Sequence, residues 1–264
     1  MNEAELLFSE VLNCNRTNLY LNHSQLLTKK QSESIAQALK RRIIGEPIQY
    51  ILGWSEFMGF RFKVNKDCLI PRPETEILVE AALKYLNSCR KQETQNILDL
   101  CSGSGCIGIS LAKLLPDCFV TVSDISEKAL KIAQQNACLN GVSDKIRFIK
   151  SDLLKDKKLR DREYDCIVSN PPYCSPEEIK SFSKELYFEP RIALDGGKDG
   201  LEFYQRIIPA GEMILKKDGL LIMECGFNQG LSLQRIFGNS GFFEVIEALK
   251  DYNSLDRVLV LRRK

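Results

Sequence analysis

From about residue 97 onwards, short apolar runs alternate with longer stretches in which apolar residues recur at helical spacing. The apolar runs have the length of buried strands, and they cover 97–100, 119–122, 146–149, 165–169, 220–224, 243–249 and 257–261. The helical pattern covers 106–115, 127–139 and 201–215, with one more helix after residue 224. This alternation predicts a mainly parallel sheet with helices on both faces, a Rossmann-like α/β fold. The short link between the last two runs requires an antiparallel hairpin at the end of the sheet.

The first part of the chain has a different pattern. Its first 45 residues carry apolar positions at helical spacing in short stretches, which predicts small helices. Aromatic residues then alternate with basic ones, so we expect a β-hairpin between Trp54 and Ile70. We therefore predict a helical substrate-recognition domain with a hairpin linker over residues 1–75, and a catalytic α/β domain over residues 76–264. The alternative is that the leading segment only covers the sheet.

Composition narrows the class of protein. The chain of 264 residues is 44% hydrophobic and 27% charged, values that are typical of globular proteins. Its net charge of +2 gives no general electrostatic reason to bind nucleic acid, and we expect no direct nucleic-acid partner. Basic residues cluster over 155–162, but acidic residues are interleaved with them, which favours a solvated loop.

The ten cysteines contain no CxxC pair and mostly lie in apolar runs, so we expect reduced, buried thiols. A single histidine, His23, in a polar stretch makes a structural zinc site improbable, and no metal is expected. The start lacks a signal-peptide pattern, and no apolar run approaches about 18 residues. We therefore expect a cytoplasmic protein that does not enter a membrane.

A glycine-rich segment follows the first strand of the α/β domain and opens a helix. Gly103, Gly105 and Gly108 satisfy G-x-G-x-x-G, which lets a ligand approach bare backbone N–H groups at the positive end of the helix. Asp124 ends the next strand, where a carboxylate can accept hydrogen bonds from ribose hydroxyls. The alternative role of Asp124 is to cap the following helix. The segment predicts a nucleotide-like cofactor, and NAD would suit it as well.

An apolar strand meets Asn170, Pro171, Pro172 and Tyr173 at residues 166–173. Neither proline can donate to a β-ladder, so the strand must stop there. The Asn170 side-chain oxygen and nearby backbone carbonyls are then available to accept from a small donor such as an –NH2 group, and Tyr173 can lie against it. A proline-terminated strand in a tight loop is the alternative. A NAD site would leave these four residues unexplained.

Together these segments resemble class I S-adenosylmethionine-dependent methyltransferases and, within them, the release-factor glutamine methyltransferases. The resemblance covers most of the chain, at 46–53, 69–76, 103–105, 124–130, 170–173 and 189–194. The family modifies the glutamine of the Gly-Gly-Gln motif of class I peptide chain release factors. The resemblance therefore implies S-adenosyl-L-methionine as cofactor and a release factor as the protein substrate.

The resemblance also implies roles for particular residues. The cofactor-binding residues would be Cys101, Ser102, Gly103, Ser104, Gly105, Asp124, Leu153 and Asn170. The residues that hold the glutamine amide would be Asn170, Pro171, Pro172 and Tyr173.

The chain departs from the family pattern at two of these positions. Cys101 stands where the family usually has glycine, which a cysteine can replace if its φ is negative. Leu153 stands where an aromatic residue is common, so it would stack less well on adenine.

Two rival functions remain from the sequence. DNA adenine-N6 methyltransferases also carry Asn-Pro-Pro-Tyr and act on a planar –NH2, but they need a basic target-recognition region to flip a base. A non-catalytic binding module would have a broken glycine loop or acceptor motif, and both are intact here.

Overall fold

The computed structural model describes residues 2–21, 26–88 and 94–264. The leading part of the chain folds into short helices followed by a two-stranded hairpin. Its elements are α1 (Glu3–Leu12), α2 (Arg16–Leu21), α3 (Lys29–Ile43), α4 (Ile48–Leu52), β1 (Trp54–Phe57) and β2 (Phe60–Lys63). Capping boxes at Asn2 and Thr28 fix the starts of α1 and α3. The predicted hairpin is confirmed, with Phe57 paired to Phe60 at its turn.

The rest of the chain alternates strands and helices, as predicted. Its helices are α5 (Pro73–Ser88), α6 (Cys106–Leu114), α7 (Glu127–Leu139), α8 (Lys157–Arg160), α9 (Pro176–Lys180), α10 (Glu202–Ile214) and α11 (Gly230–Asn239). Its strands are β3 (Gln95–Leu100), β4 (Cys118–Asp124), β5 (Ile146–Lys150), β6 (Tyr164–Ser169), β7 (Leu215–Glu224), β8 (Phe243–Lys250) and β9 (Asp256–Arg263).

The larger sheet of the described chain has the order β5-β4-β3-β6-β7-β9-β8. The first five strands are parallel, and β9 pairs antiparallel with both β7 and β8. The expected antiparallel hairpin is confirmed, with its second strand inserted next to β7. The strand order reverses between β3 and β6, so their carboxyl ends open into a crevice where ligands bind in sheets of this kind.

Two apolar layers cover the sheet, and the leading hairpin belongs to one of them. Phe57 and Phe62 are fully buried beside α5 and α6, with their ring centroids 6.0 Å apart in an edge-to-face arrangement. Burying each ring contributes about 1.5–3 kcal/mol. The hairpin is therefore part of the main core.

Polar contacts attach the leading helices to the rest of the molecule. The carboxylate of Glu10 accepts from the Trp54 indole at 3.1 Å and from Arg61 at 2.6 Å. The Arg42 guanidinium pairs with both Glu3 and Glu185, the latter in a 3-10 turn over 184–188. These ion pairs hold the leading helices close to that turn.

Three sequence expectations concern thiols, metals and membranes. The described cysteines are free thiols, and Cys89 lies outside the described residues. Within 2–21, 26–88 and 94–264, no three His, Cys, Asp or Glu side chains group as a metal site requires; His23 is not among these residues. Among the described helices, none combines the length and apolar character needed to cross a bilayer.

Candidate active site

The loop between β3 and α6 turns sharply through three residues with left-handed backbones. Cys101, Gly103 and Gly105 have φ values of 58°, 54° and 79°. The negative φ that would let a cysteine replace glycine at position 101 without strain is therefore not the one that the structure has. The turn brings the Ser102 N–H to the Ser123 carbonyl of β4 at 3.1 Å, with Cys101 in the left-handed conformation. A non-glycine residue there costs about 1–2 kcal/mol.

Asp124 holds this loop with its carboxylate. Its Oδ2 accepts from the Gly103 N–H at 2.8 Å, and its Oδ1 accepts from the Ser126 N–H at 2.7 Å. Ser126, and not Asp124, caps α7 through a bond from the Ala129 N–H. Each Asp124 oxygen keeps a second lone pair for a further donor. Burial raises the pKa of Asp124, and the backbone donors oppose that rise.

A cavity of about 210 Å³ opens beside the loop, at the carboxyl ends of β3, β4 and β5. Apolar side chains form most of its wall, with Asp124 on one side. Its lining includes Leu69, Leu100, Cys101, Gly103, Asp124, Ile125, Leu153, Asn170, Pro172, Phe203 and Arg206. We call it the first cavity. Five of the predicted cofactor residues line it: Cys101, Gly103, Asp124, Leu153 and Asn170.

The other three predicted cofactor residues belong to the same loop but do not line the cavity. Ser102 and Ser104 are buried, and Gly105 precedes α6. A Cβ on Gly105 would lie 2.9 Å from Ile109 and 3.0 Å from Ala133, so glycine is required there by packing as well as by φ. Ser102 Oγ is buried and has no hydrogen-bond partner in the described chain. These three residues form the buried part of the loop.

A second cavity, of about 450 Å³, lies on the other side of Asn170. Its lining includes Leu69, Arg72, Asn170, Tyr173, Glu178, Leu186, Ala193, Phe227 and Arg257. Leu69, Asn170 and Ala193 line both cavities. Pro171 and Pro172 are buried; Pro172 lines the first cavity, and Pro171 lines neither cavity. Asn170 therefore lies at the junction between the two cavities.

The backbone of Tyr173 is enclosed by two glycines and a glutamine. A Cβ on Gly196 would lie 2.6 Å from the Tyr173 Cα, and one on Gly200 would lie 2.3 Å from the Tyr173 carbonyl oxygen. The Gln229 amide donates to that same oxygen at 3.0 Å and to the Gly200 carbonyl at 3.2 Å. These contacts fix where the Tyr173 ring lies.

A chain of side-chain hydrogen bonds lies behind Asn170. Its Nδ2 donates to Thr75 Oγ1 at 3.3 Å, and Thr75 Oγ1 donates to Glu224 Oε2 at 2.6 Å. The Tyr173 hydroxyl donates to Glu224 Oε1 at 3.2 Å. Burial raises the pKa of Glu224, whereas Thr75, Arg257 and Tyr173 lower it. Burial and the nearby Glu224 charge raise the pKa of Tyr173, which keeps its hydroxyl protonated as a donor.

Two further buried polar residues support the walls. Glu189 accepts from the Ile70 N–H at 3.1 Å and pairs with Arg72, which holds the segment that carries Leu69. Asn136 exchanges two hydrogen bonds with the Lys63 backbone and donates to the Ser104 carbonyl at 2.9 Å. Asn136 thus ties the hairpin directly to the glycine loop.

Sequence reasoning missed Thr75, Glu224, Gln229 and Asn136 as parts of the site. Only Glu224 could have been found from its position in the sequence, because it ends a parallel strand that pairs with β6. Thr75 lies in the family-like segment 69–76 but gave no separate sign of its contact with Asn170.

The comparisons with known proteins place the chain in a family. The model described as "Methyltransferase small domain" matches residues 75–198, and the one described as "PrmC N-terminal domain" matches residues 1–53. The release factor glutamine methyltransferase of Chlorobaculum tepidum is 40% identical over 97% of this chain and 88% of that protein. The chain belongs to the release factor glutamine methyltransferase family. The family member from Thermodesulfovibrio yellowstonii is 39% identical over 99% of this chain and 92% of its own length.

Solved structures support the fold of this release factor glutamine methyltransferase family member. A methyltransferase from Pyrococcus furiosus superimposes with a TM-score of 0.55 at 15% identity, covering 90% of this chain and 99% of that one. The Rossmann-like class I methyltransferase fold predicted from the sequence is therefore confirmed.

Proposed function

We propose that this protein transfers a methyl group from S-adenosyl-L-methionine to the side-chain amide nitrogen of a release-factor glutamine, in the Gly-Gly-Gln motif. Family membership supports the class of reaction and of substrate. The observation that carries the proposal for the site is the position of Asn170 in the wall of both cavities. One cavity is suited to the methyl donor and the other to the amide that receives the methyl group.

The first cavity has the chemistry that S-adenosylmethionine requires. Asp124 has spare lone pairs for the two ribose hydroxyls, and Leu100, Ile125, Leu153 and Phe203 offer apolar surface to the adenosine. The N-terminus of α6 favours the carboxylate of the methionine part. The cofactor supplies an electrophilic methyl group on a sulfonium. Leu153, at φ 48°, would contact the adenine through its methyl groups and backbone.

In the second cavity, the chain's own groups would orient a planar amide. Asn170 Oδ1 and the Pro171 carbonyl accept no hydrogen bond from any described residue, so both remain for the two N–H groups of a glutamine. These acceptors strengthen as positive charge develops on the nitrogen. Tyr173 limits movement of the amide plane. Because an amide nitrogen is a weak nucleophile, such positioning carries much of the rate.

The proposal is tested by incubating the protein with a purified release factor and S-adenosylmethionine, followed by peptide mass spectrometry. One added methyl on the Gly-Gly-Gln glutamine is expected, and none with Asn170→Ala. Duplex DNA carrying unmethylated adenine is the parallel substrate. Transfer to adenine with none to the release factor would refute the proposal and favour the DNA methyltransferase alternative.

We also propose that residues 1–75 recognise the release factor and that the catalytic domain runs from about residue 76. Leu39, Ile43 and Ile44 leave apolar surface exposed on α3 and directly after it. A Cβ on Gly45 would lie 3.3 Å from Lys184, in the turn that places Leu186 at the second cavity. The chain directly after these exposed residues therefore contacts the turn that borders that cavity.

A surface substitution tests this recognition role without removing core residues. Ile43→Glu, at a side chain that is 83% exposed, should raise the KM for the release factor about tenfold and leave cofactor affinity unchanged. Met213→Glu, at a 66% exposed side chain on α10, is the matched control. Equal KM values for both variants would leave the leading segment with a covering role only.

A further inference from the structure

We propose that Thr75 and Glu224 are positioning residues that hold the Asn170 carboxamide with its oxygen toward the acceptor amide. The inference rests on the proposed function and adds to it two residues that do not touch the methyl donor. It starts from the hydrogen-bond chain that runs from Asn170 through Thr75 to Glu224.

With Glu224 ionised, proton counting fixes the direction of this chain. A threonine hydroxyl has one proton, and at 2.6 Å from Glu224 Oε2 that proton belongs to the bond with the carboxylate. Thr75 Oγ1 can then only accept from Asn170. The group that Asn170 turns toward Thr75 must therefore be its –NH2, which leaves Oδ1 on the cavity side.

The second oxygen of Glu224 also accepts a hydrogen bond, which further fixes the carboxylate. Oε1 accepts from the Tyr173 hydroxyl at 3.2 Å, so an ionised Glu224 accepts from two hydroxyl donors on opposite oxygens. The Arg257 guanidinium, bound to Asp251 at 2.9 Å, provides a nearby positive charge. One carboxylate thus orients both the amide and the aromatic ring of the acceptor motif.

Burial makes water a poor substitute for these contacts. Thr75 is 2% exposed and Glu224 is 1% exposed. Without Thr75, the Asn170 amide would have no fixed donor contact on that side and could rotate by half a turn. The rotated amide would present –NH2 to the substrate –NH2, which is a donor facing a donor. We call the hydrogen-bond chain from Asn170 through Thr75 to Glu224 the relay. Its loss should therefore lower turnover more than it lowers binding of the release factor.

Thr75→Val tests the relay because valine keeps the branched shape and removes the hydroxyl. The kcat for the release factor should fall about tenfold to a hundredfold, while its KM and the cofactor affinity change by less than about threefold. Thr75→Ser should recover most of the kcat. Thr121→Val, which removes another 2% exposed hydroxyl on β4 away from both cavities, is the matched control and should keep wild-type kcat. Equal kcat values for the two valine variants would overturn the proposal.

Glu224→Gln provides an independent variant, because a glutamine cannot accept from both hydroxyls in the same way. Its kcat should fall at least as far, and adding Thr75→Val to it should cause little further loss, since both act through one chain. Fully additive losses would contradict a shared relay. Thermal melting of each variant separates these effects from unfolding.

Heteronuclear NMR of protein that is isotope-labelled at asparagine tests the contact between Asn170 and Thr75 without an activity measurement. The Asn170 side-chain –NH2, assigned by its loss in Asn170→Ala, should exchange slowly with solvent in the wild type and faster in Thr75→Val. If the wild type shows slow exchange but methylates no release factor, the proposed function fails while the Thr75 contact stands. If the wild type methylates the release factor and its amide exchanges equally fast in both proteins, the relay alone is refuted.

Discussion

The two cavities that meet at Asn170 are built in different ways. The first cavity is shaped by the loop 101–105 and by Asp124, which follow two adjacent parallel strands and are held mainly by backbone hydrogen bonds. The second cavity depends on side chains from distant parts of the chain, because Thr75, Glu224 and Gln229 converge on the Asn-Pro-Pro-Tyr segment. The comparison teaches that the loop and carboxylate of the first half come from two neighbouring strands, whereas the acceptor motif of the second half is held by side chains far apart in sequence.

Removing the Asn170 side chain should have the largest effect, and it should affect methyl transfer far more than cofactor binding. Asn170→Ala should lower kcat by about a hundredfold or more, because it removes an acceptor whose contribution grows in the transition state. Cofactor affinity should change far less. Single-turnover methylation and calorimetry measure the two effects. Asn253→Ala, in the exposed turn between β8 and β9, is the matched control, and equal turnover in both variants would make the motif structural.

Asp124→Ala should have the opposite profile, with its main effect on the first cavity. Cofactor binding should weaken by about 2–4 kcal/mol, since charge-assisted hydrogen bonds are lost and only partly replaced by water. Asp124→Asn keeps one acceptor and should lose less. Calorimetric titration measures both, and an unchanged affinity in the alanine variant would limit Asp124 to holding the loop.

A matched pair of glycine substitutions compares the packing of the two halves. A Cβ on Gly200, at φ 73°, would lie 2.3 Å from the Tyr173 carbonyl oxygen, whereas one on Gly103, at φ 54°, would meet no atom within 4 Å. Gly200→Ala should lower the free energy of unfolding by about 2–3 kcal/mol through strain and overpacking. Gly103→Ala should lower it by only about 1 kcal/mol, from backbone strain. Urea unfolding compares them, and equal losses would show that the Gly200 site can relax.

A further expected effect concerns pH and a carboxyl buried under the loop. Burial raises the pKa of Asp99 to about 8, although its Oδ2 accepts from the Gly108 N–H at 2.9 Å. Between its unfolded pKa of about 4 and this value, the folded state binds more protons than the unfolded state. The free energy of unfolding should therefore fall as pH rises through that range. Asp99→Asn should remove this contribution to the pH dependence. Urea unfolding of both proteins at several pH values tests it. An equal fall in the free energy of unfolding with pH for both proteins would contradict a proton bound to buried Asp99.

The difference between the halves also explains how much the sequence could predict. The strands, the glycine loop and Asp124 follow from local patterns, because the loop and Asp124 come directly after predicted strands. Asn170 was found for the same reason. Thr75 and Glu224 are separated by more than half of the chain, and only their meeting behind Asn170 gives them a role. The left-handed φ of Cys101 could not be predicted from local patterns, because residues other than glycine rarely adopt it.

The position of β9 in the sheet has a consequence for the order in which the site forms during synthesis. β9 inserts between β7 and β8, and it pairs with the end of β7 through Glu224 and Val258. The strands that carry the glycine loop and Asp124 leave the ribosome more than a hundred residues before β9 and can pair with one another at once. Arg257 and the strand that supports Glu224 arrive only after β8. The nascent protein should therefore acquire its cofactor half first, and its acceptor half should become ordered only when β9 is in place.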